Sequence, residues 1–168
     1  AGFLNDEKFS EALLQTQKRT SSKGPIAIQQ ELARKGIGKE LQSQVLESYS
    51  EADQVEIATK LAEKAAASNR SIPPRQLQQR IQNSLKRKGY SFDIIKQALS
   101  GISFEREDEE WDEITVTVGE KAWRRYRSRF SGRERSNRVK QAMYQKGISF
   151  DLIDRFIEKK ENEENVRF

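Results

Sequence analysis

The chain has 168 residues, with 31 Lys plus Arg against 26 Asp plus Glu, a net charge of +5, and neither Cys nor His. That composition excludes a disulfide framework, a thiol nucleophile, Cys-ligated metal, a Ser-His-Asp triad and an HExxH zinc site. Charged residues reach 34% and the apolar share is only 35%, so a thin core and a large surface are expected; no run approaches the roughly 18 apolar residues of a membrane span.

In chain order, a first helix is expected near residues 5–20, with Phe9, Leu13 and Thr16 on one face. A Ser-Ser-Lys-Gly-Pro joint follows, and Pro25 suits a helix N1 position. Ile28 and Leu32 mark a second helix that closes at Lys35-Gly36; Leu41, Val45 and Leu46 mark a third. The order then repeats. A long helix near residues 51–68 carries Ile57, Leu61 and Ala65, and Pro73-Pro74 restarts the chain. Ile81 and Leu85 precede Lys88-Gly89, and Ile94, Ala98 and Leu99 follow. A third long helix near residues 108–130 carries Trp111, Ile114, Val118, Ala122, Trp123, Tyr126 and Phe130. Val139 and Met143 then precede Lys146-Gly147, with Leu152, Phe156 and Ile157 beyond. The Gly-to-Gly intervals are 53 and 58 residues.

The repeat has a physical reading. Each Gly fits the position after a helix where a left-handed conformation closes the last turn, and the Lys beside it suits the negative end of the helix dipole. Gly38, Ser91 and Ser149 then stand as N-caps, followed in the first turn by Glu40, Asp93 and Asp151. Residues 114–118, Ile-Thr-Val-Thr-Val, also suit a strand. Helical periodicity and the lack of a pairing strand favour helix, with Gly119 a candidate kink. The fold class is all-α: tandem three-helix, helix-turn-helix-like modules at residues 1–49, 50–101 and 102–168, stacked in an elongated, curved array. The last carries an acidic lead and a charged tail.

Charge is unevenly placed. Residues 105–113 hold seven acids against Arg106, and residues 121–140 hold nine bases against Glu134. A second basic run comprises Arg75, Arg80, Lys86, Arg87 and Lys88. One reading is solvated helix faces; the other is a stripe facing a polyanion. The acidic run reads as a solvated helix start, a mimic docked on the basic run, or a contact for a basic partner. Trp123 and Tyr126 sit at core spacing, which favours packing over base stacking. Groove reading by the last helices is disfavoured, because Phe-Asp-Ile-Ile-Lys-Gln-Ala-Leu from Phe92 and Phe-Asp-Leu-Ile-Asp-Arg-Phe-Ile from Phe150 are apolar and acidic. No phosphate-binding Gly loop is present, and no spacing points to an enzyme or a cofactor.

Four stretches resemble the RecX family of RecA regulators. They are Gly-Phe-Leu-Asn-Asp-Glu-Lys-Phe at residues 2–9, Lys-Gly-Pro-Ile-Ala-Ile-Gln-Gln-Glu-Leu-Ala-Arg-Lys-Gly-Ile at residues 23–37, and the Lys-Gly-apolar-Ser-Phe-Asp elements within residues 86–99 and 144–157. Ile26, Ala27, Ile28 and Gln29 stand where the family often has Arg. The resemblance implies a further module upstream of the first stretch. It also implies a helical, cytoplasmic, bacterial and non-enzymatic modulator, expected to be monomeric. Such a protein binds RecA and its filament on single-stranded DNA and limits filament extension, ATP hydrolysis and strand exchange. A nucleic-acid binder acting alone is the alternative. Candidate partner- or nucleic-acid-binding residues are Lys23, Arg34, Lys35, Arg80, Arg87, Lys88, Arg124, Arg125, Arg127, Arg138 and Lys146.

Overall fold

The computed structural model describes the backbone of residues 2–166 and the side chains of residues 5–166. Nine α-helices occur among the described residues: α1 (Gly2–Thr16), α2 (Pro25–Arg34), α3 (Lys39–Glu47), α4 (Glu51–Ser68), α5 (Pro74–Lys88), α6 (Phe92–Ser100), α7 (Asp108–Arg127), α8 (Gly132–Gln145) and α9 (Phe150–Val166). Residues 114–118 are helical, within α7. A π-helical turn, Gln17–Ser21, widens the end of the first helix, and Ser22 leaves it in the left-handed region at φ 51°. The chain divides into two compact bodies, Ala1–Ser68 with Gln78–Ser103 and Asn69–Leu77 with Phe104–Phe168.

The three Lys-Gly elements end α2, α5 and α8 in the same way. Gly36, Gly89 and Gly147 have φ of 83°, 101° and 89°. Each donates its N–H to the carbonyl three residues back, and the next residue donates to the carbonyl five back, as in Ile37 to Leu32 at 3.1 Å and Tyr90 to Leu85 at 3.2 Å. This is the Schellman motif. Its apolar pairs, Ile37 with Leu32, Tyr90 with Leu85 and Ile148 with Met143, are all buried. The hydroxyls of Ser91 and Ser149 then accept the Ile94 and Leu152 N–H groups, both at 3.4 Å. Gly38, the first copy, has no side chain to do this.

In the first body the start of α2 docks on the end of α5. The Gly24 N–H donates to the Lys88 carbonyl at 2.8 Å, and the Ile26 N–H donates to the Gly89 carbonyl at 3.0 Å. Two helix ends, each with unpaired backbone groups and opposite partial charge, thereby complete one another. The approach is close: a Cβ on Gly24 would lie 2.5 Å from the Gly89 carbonyl, and one on Gly89 would lie 2.4 Å from the Ala27 nitrogen. The loop before Gly24 is fastened by three donors. Lys88 Nζ donates to the Ser21 carbonyl at 2.8 Å, Tyr90 to Ser22 at 2.6 Å and Tyr49 to Lys23 at 2.9 Å. Burial raises both tyrosine pKa values, so the phenols stay protonated donors.

In α1 and α4 the buried line lies one position from the expected one, whereas in α7 the expected face is largely the buried one. In α1, Ser10 and Leu14 are buried, whereas Phe9 is 43% exposed. In α4 the buried line is Ala58, Ala62 and Ala66, with Ile57, Leu61 and Ala65 only half-buried beside it. In α7 the buried set includes Thr115 and Gly119 as well as Ile114, Ala122 and Trp123. Small residues occupy these lines because neighbouring helices come close there. The Phe156 ring of α9 sits where a Gly119 Cβ would be, at 2.6 Å. Gly119 is thus a packing site within one continuous helix. In the second body the core is built on Ile114, Trp123, Val139, Met143, Ile148, Ile153 and Ile157.

Gly24→Ala should destabilise the protein by about 1–3 kcal/mol, since its methyl meets backbone that cannot rotate away. Gly38→Ser should stabilise by a few tenths of a kcal/mol by restoring the missing cap. Chemical denaturation followed by circular dichroism checks both.

Candidate functional site

The candidate residues fall in both bodies and separate into two kinds. Lys23 and Lys88 are fasteners. Lys23 Nζ lies 3.2 Å from Glu31 Oε2, and Lys88 Nζ is spent on the Ser21 carbonyl. In the first body, Arg34 and Lys35 at the end of α2 and Arg80 and Arg87 on α5 are exposed. In the second body, Arg124, Arg125 and Arg127 are exposed at the end of α7, Arg138 on α8 and Lys146 just past it. The Arg138 guanidinium lies 4.6 Å from the Phe130 ring centre and its polar edge remains in solvent.

The basic run at residues 121–140 is partly neutralised within the fold. Arg135 is buried over the Trp123 ring, 4.3 Å from its centre, and pairs with Glu164. Lys140 lies 3.6 Å from Asp154. Ser136 donates to Glu161 at 2.7 Å. The partners Glu161 and Glu164 come from the end of α9, which runs 17 residues where α6 runs nine. The charged tail is therefore packed onto α8. Seven bases remain exposed and take part in no ion pair among the described residues: Lys121, Arg124, Arg125, Arg127, Arg129, Arg133 and Arg138.

The acidic run has a local structural role. Asp108, Glu109 and Glu110 occupy the first turn of α7, and Glu107 and Glu110 form a reciprocal capping box. Arg70 grips Glu110 with two hydrogen bonds of 2.7 Å and reaches the Glu105 carbonyl at 3.3 Å. Arg106 donates to the Arg70 carbonyl at 3.1 Å. This clasp ties residues 69–77 to the start of α7. Along α7 the acids do not reach the bases of its last turns: Glu109 and Arg125 are separated by about 24 Å of rise. Acids lead α7 and bases end it, the arrangement its dipole favours. Arg70 and Arg135 carry no sequence signal as partners, since each meets a Glu that is distant in the chain.

The description of the RecX third three-helix domain matches residues 51–99 and again 108–157, and that of the RecX second three-helix domain matches residues 5–46. The chain belongs to the RecX family. The regulatory protein RecX of Bacillus licheniformis is 40% identical over 159 residues, which cover 94% of this chain and 60% of that protein. RecX of Bacillus subtilis is 37% identical over 160 residues, 95% of this chain and 60% of that one. The chain therefore spans about 60% of the length of these RecX relatives. The crystal structure of RecX from Lactobacillus salivarius superposes with a TM-score of 0.55 at 35% identity, covering 57% of this chain and 62% of that one. Within the RecX pattern, both the Gly24–Gly89 joint and the three Lys-Gly closures lie inside the matched residues. No described helix is long and apolar enough to cross a membrane.

The hydrogen bonds from Arg70, with a backbone N–H from Glu107, hold the Glu110 carboxyl down to about 2 from its ordinary 4.5. A group lowered by folding stabilises fully above its ordinary value, and that contribution is lost as the pH falls toward its folded value. Thermal unfolding should therefore show a loss of stability between pH 4.5 and 2 that is smaller in Glu110→Gln.

Proposed function

We propose that this chain is a non-enzymatic modulator of the RecA recombinase. It binds RecA, or the RecA filament on single-stranded DNA, along the filament groove and limits filament extension, ATP hydrolysis and strand exchange. The observation that carries this reading is the match of the RecX domain descriptions to helices of both bodies. The charge pattern supports it. Seven exposed bases without ion pairs provide recruitment toward a polyanionic filament, because screened attraction of this kind raises encounter rates. A bacterial cytoplasmic location accompanies the reading.

The alternative, nucleic-acid binding without RecA, draws on the same seven bases. Exposed arginines at the end of α7 suit phosphate contact, which positions a protein on a strand without reading sequence.

RecA ATPase activity on single-stranded DNA separates the two. The chain should slow hydrolysis, and the triple reversal Arg124→Glu, Arg125→Glu, Arg127→Glu should raise the concentration for half-inhibition at least tenfold. An absent effect on RecA, with tight strand binding in its absence, would replace this reading with the alternative. In that case the triple reversal should lower the log–log salt slope by about 2, at roughly 0.7 for each phosphate contact on a single strand.

A further inference from the structure

The second body contains a cleft of about 300 Å³ beside its core. Its walls join apolar side chains with the polar Ser71, Gln76 and Thr117. Ile72 and Pro73 come from the segment before α5, Val118 and Ala122 from α7, and Ala142 from α8. Three cations stand at its edge: Lys121 and Arg125, one turn apart on α7, and Lys146 at the end of α8. All three are exposed, and no ion pair among the described residues uses them. No carboxylate lines the cleft.

We propose that this cleft receives an acidic peptide segment of a protein partner, with one large apolar side chain inserted and carboxylates on either side. The chemistry of the walls decides the occupant. A cleft at the lower end of the roughly 300–1,000 Å³ ligand range holds one or two side chains. The aliphatic part of the wall, Ile72, Pro73, Val118, Ala122 and Ala142, rewards an aliphatic or aromatic anchor, since burying it removes apolar surface from water. Three cations around the opening reward carboxylates flanking that anchor and repel a basic segment. A nucleobase fits less well. The only aromatic ring in the lining is Tyr126, with Arg125 5.6 Å from its centre and Phe130 tilted against it at 6.0 Å. A base stacking on Tyr126 would compete with Arg125 for that ring.

The clasp between Arg70 and Glu110 supports one wall, because it fixes the segment that carries Ile72 and Pro73. The proposal goes beyond RecA modulation, since it specifies the chemistry of a segment and not the protein that supplies it.

Selection of a random phage-displayed peptide library on the whole chain tests it, with the enriched peptides then measured by fluorescence anisotropy. Thr117→Trp fills the cleft from α7 without changing charge, and Gln76→Trp fills it from the opposite side should the first variant lose helicity. Lys121→Glu with Arg125→Glu reverses the edge. The expected result is enrichment of peptides with one large apolar residue flanked by Asp or Glu. Their affinity should fall at least tenfold in both a filled and a charge-reversed variant that keep the wild-type melting curve. Three results would overturn the proposal. One is enrichment of no such pattern. Another is peptide binding that survives filling of the cleft but not charge reversal, which makes it surface electrostatics. The third is loss of oligothymidylate binding on filling with peptide binding unchanged, which makes the occupant a base.

Discussion

The contact between two glycines organises the first body. Gly24 and Gly89 approach so closely that neither tolerates a Cβ, and the α2 N–H groups thereby reach the carbonyls that close α5. Buried backbone groups at helix ends must find partners, and here each end supplies the other's. The consequences spread outward. The Ser21, Ser22 and Lys23 carbonyls turn toward Lys88, Tyr90 and Tyr49, and Lys23 is held to Glu31. A looser relative of this joint occurs in the second body, where the Arg75 side chain near the start of α5 lies 3.7 Å from where a Gly147 Cβ would be.

The charge pattern follows from a second constraint, the direction of α7. Its dipole accommodates acids at the first turn and bases at the last. The acids are then used locally in a capping box and a clasp. The bases divide. Those facing the core, such as Arg135, acquire carboxylates from the long α9, while those at the end of α7 remain exposed. A net charge of +5 thus conceals an uneven pattern, in which carboxylates such as Glu110 and Glu164 pair with arginines while seven bases of residues 121–140 stay exposed and outside any ion pair among the described residues.

Much of the fold was legible because each module ends a helix in the same chemical way. Lys-Gly followed by an apolar residue and a cap has one economical geometry, and all three copies adopt it. The buried faces of α1 and α4 were read one position off for a physical reason. Apolar periodicity gives most weight to large side chains, whereas the lines that touch neighbours hold Ala58, Ala62 and Ala66. Small residues permit close approach and so lie at the contact itself. The candidate site was legible only in part. Exposed positions such as Arg124 and Arg127 follow from helix register, but the internal use of Lys88 depends on a joint between segments more than sixty residues apart, and that of Lys23 on the Glu31 carboxylate of the adjoining α2. The anchoring of Arg70 and Arg135 depends on carboxylates far along the chain.

The central claim is that the first two helical triplets form one cooperative body through the α2–α5 joint. Native-state hydrogen exchange at the Gly24 and Ile26 amides tests it most directly. Both should be protected to the same free energy as the α5 amides, and that protection should fall in Gly24→Ala for the whole body together. Exchange of these two amides at the rate of free helix N-terminal groups, with α5 still fully protected, would contradict the account.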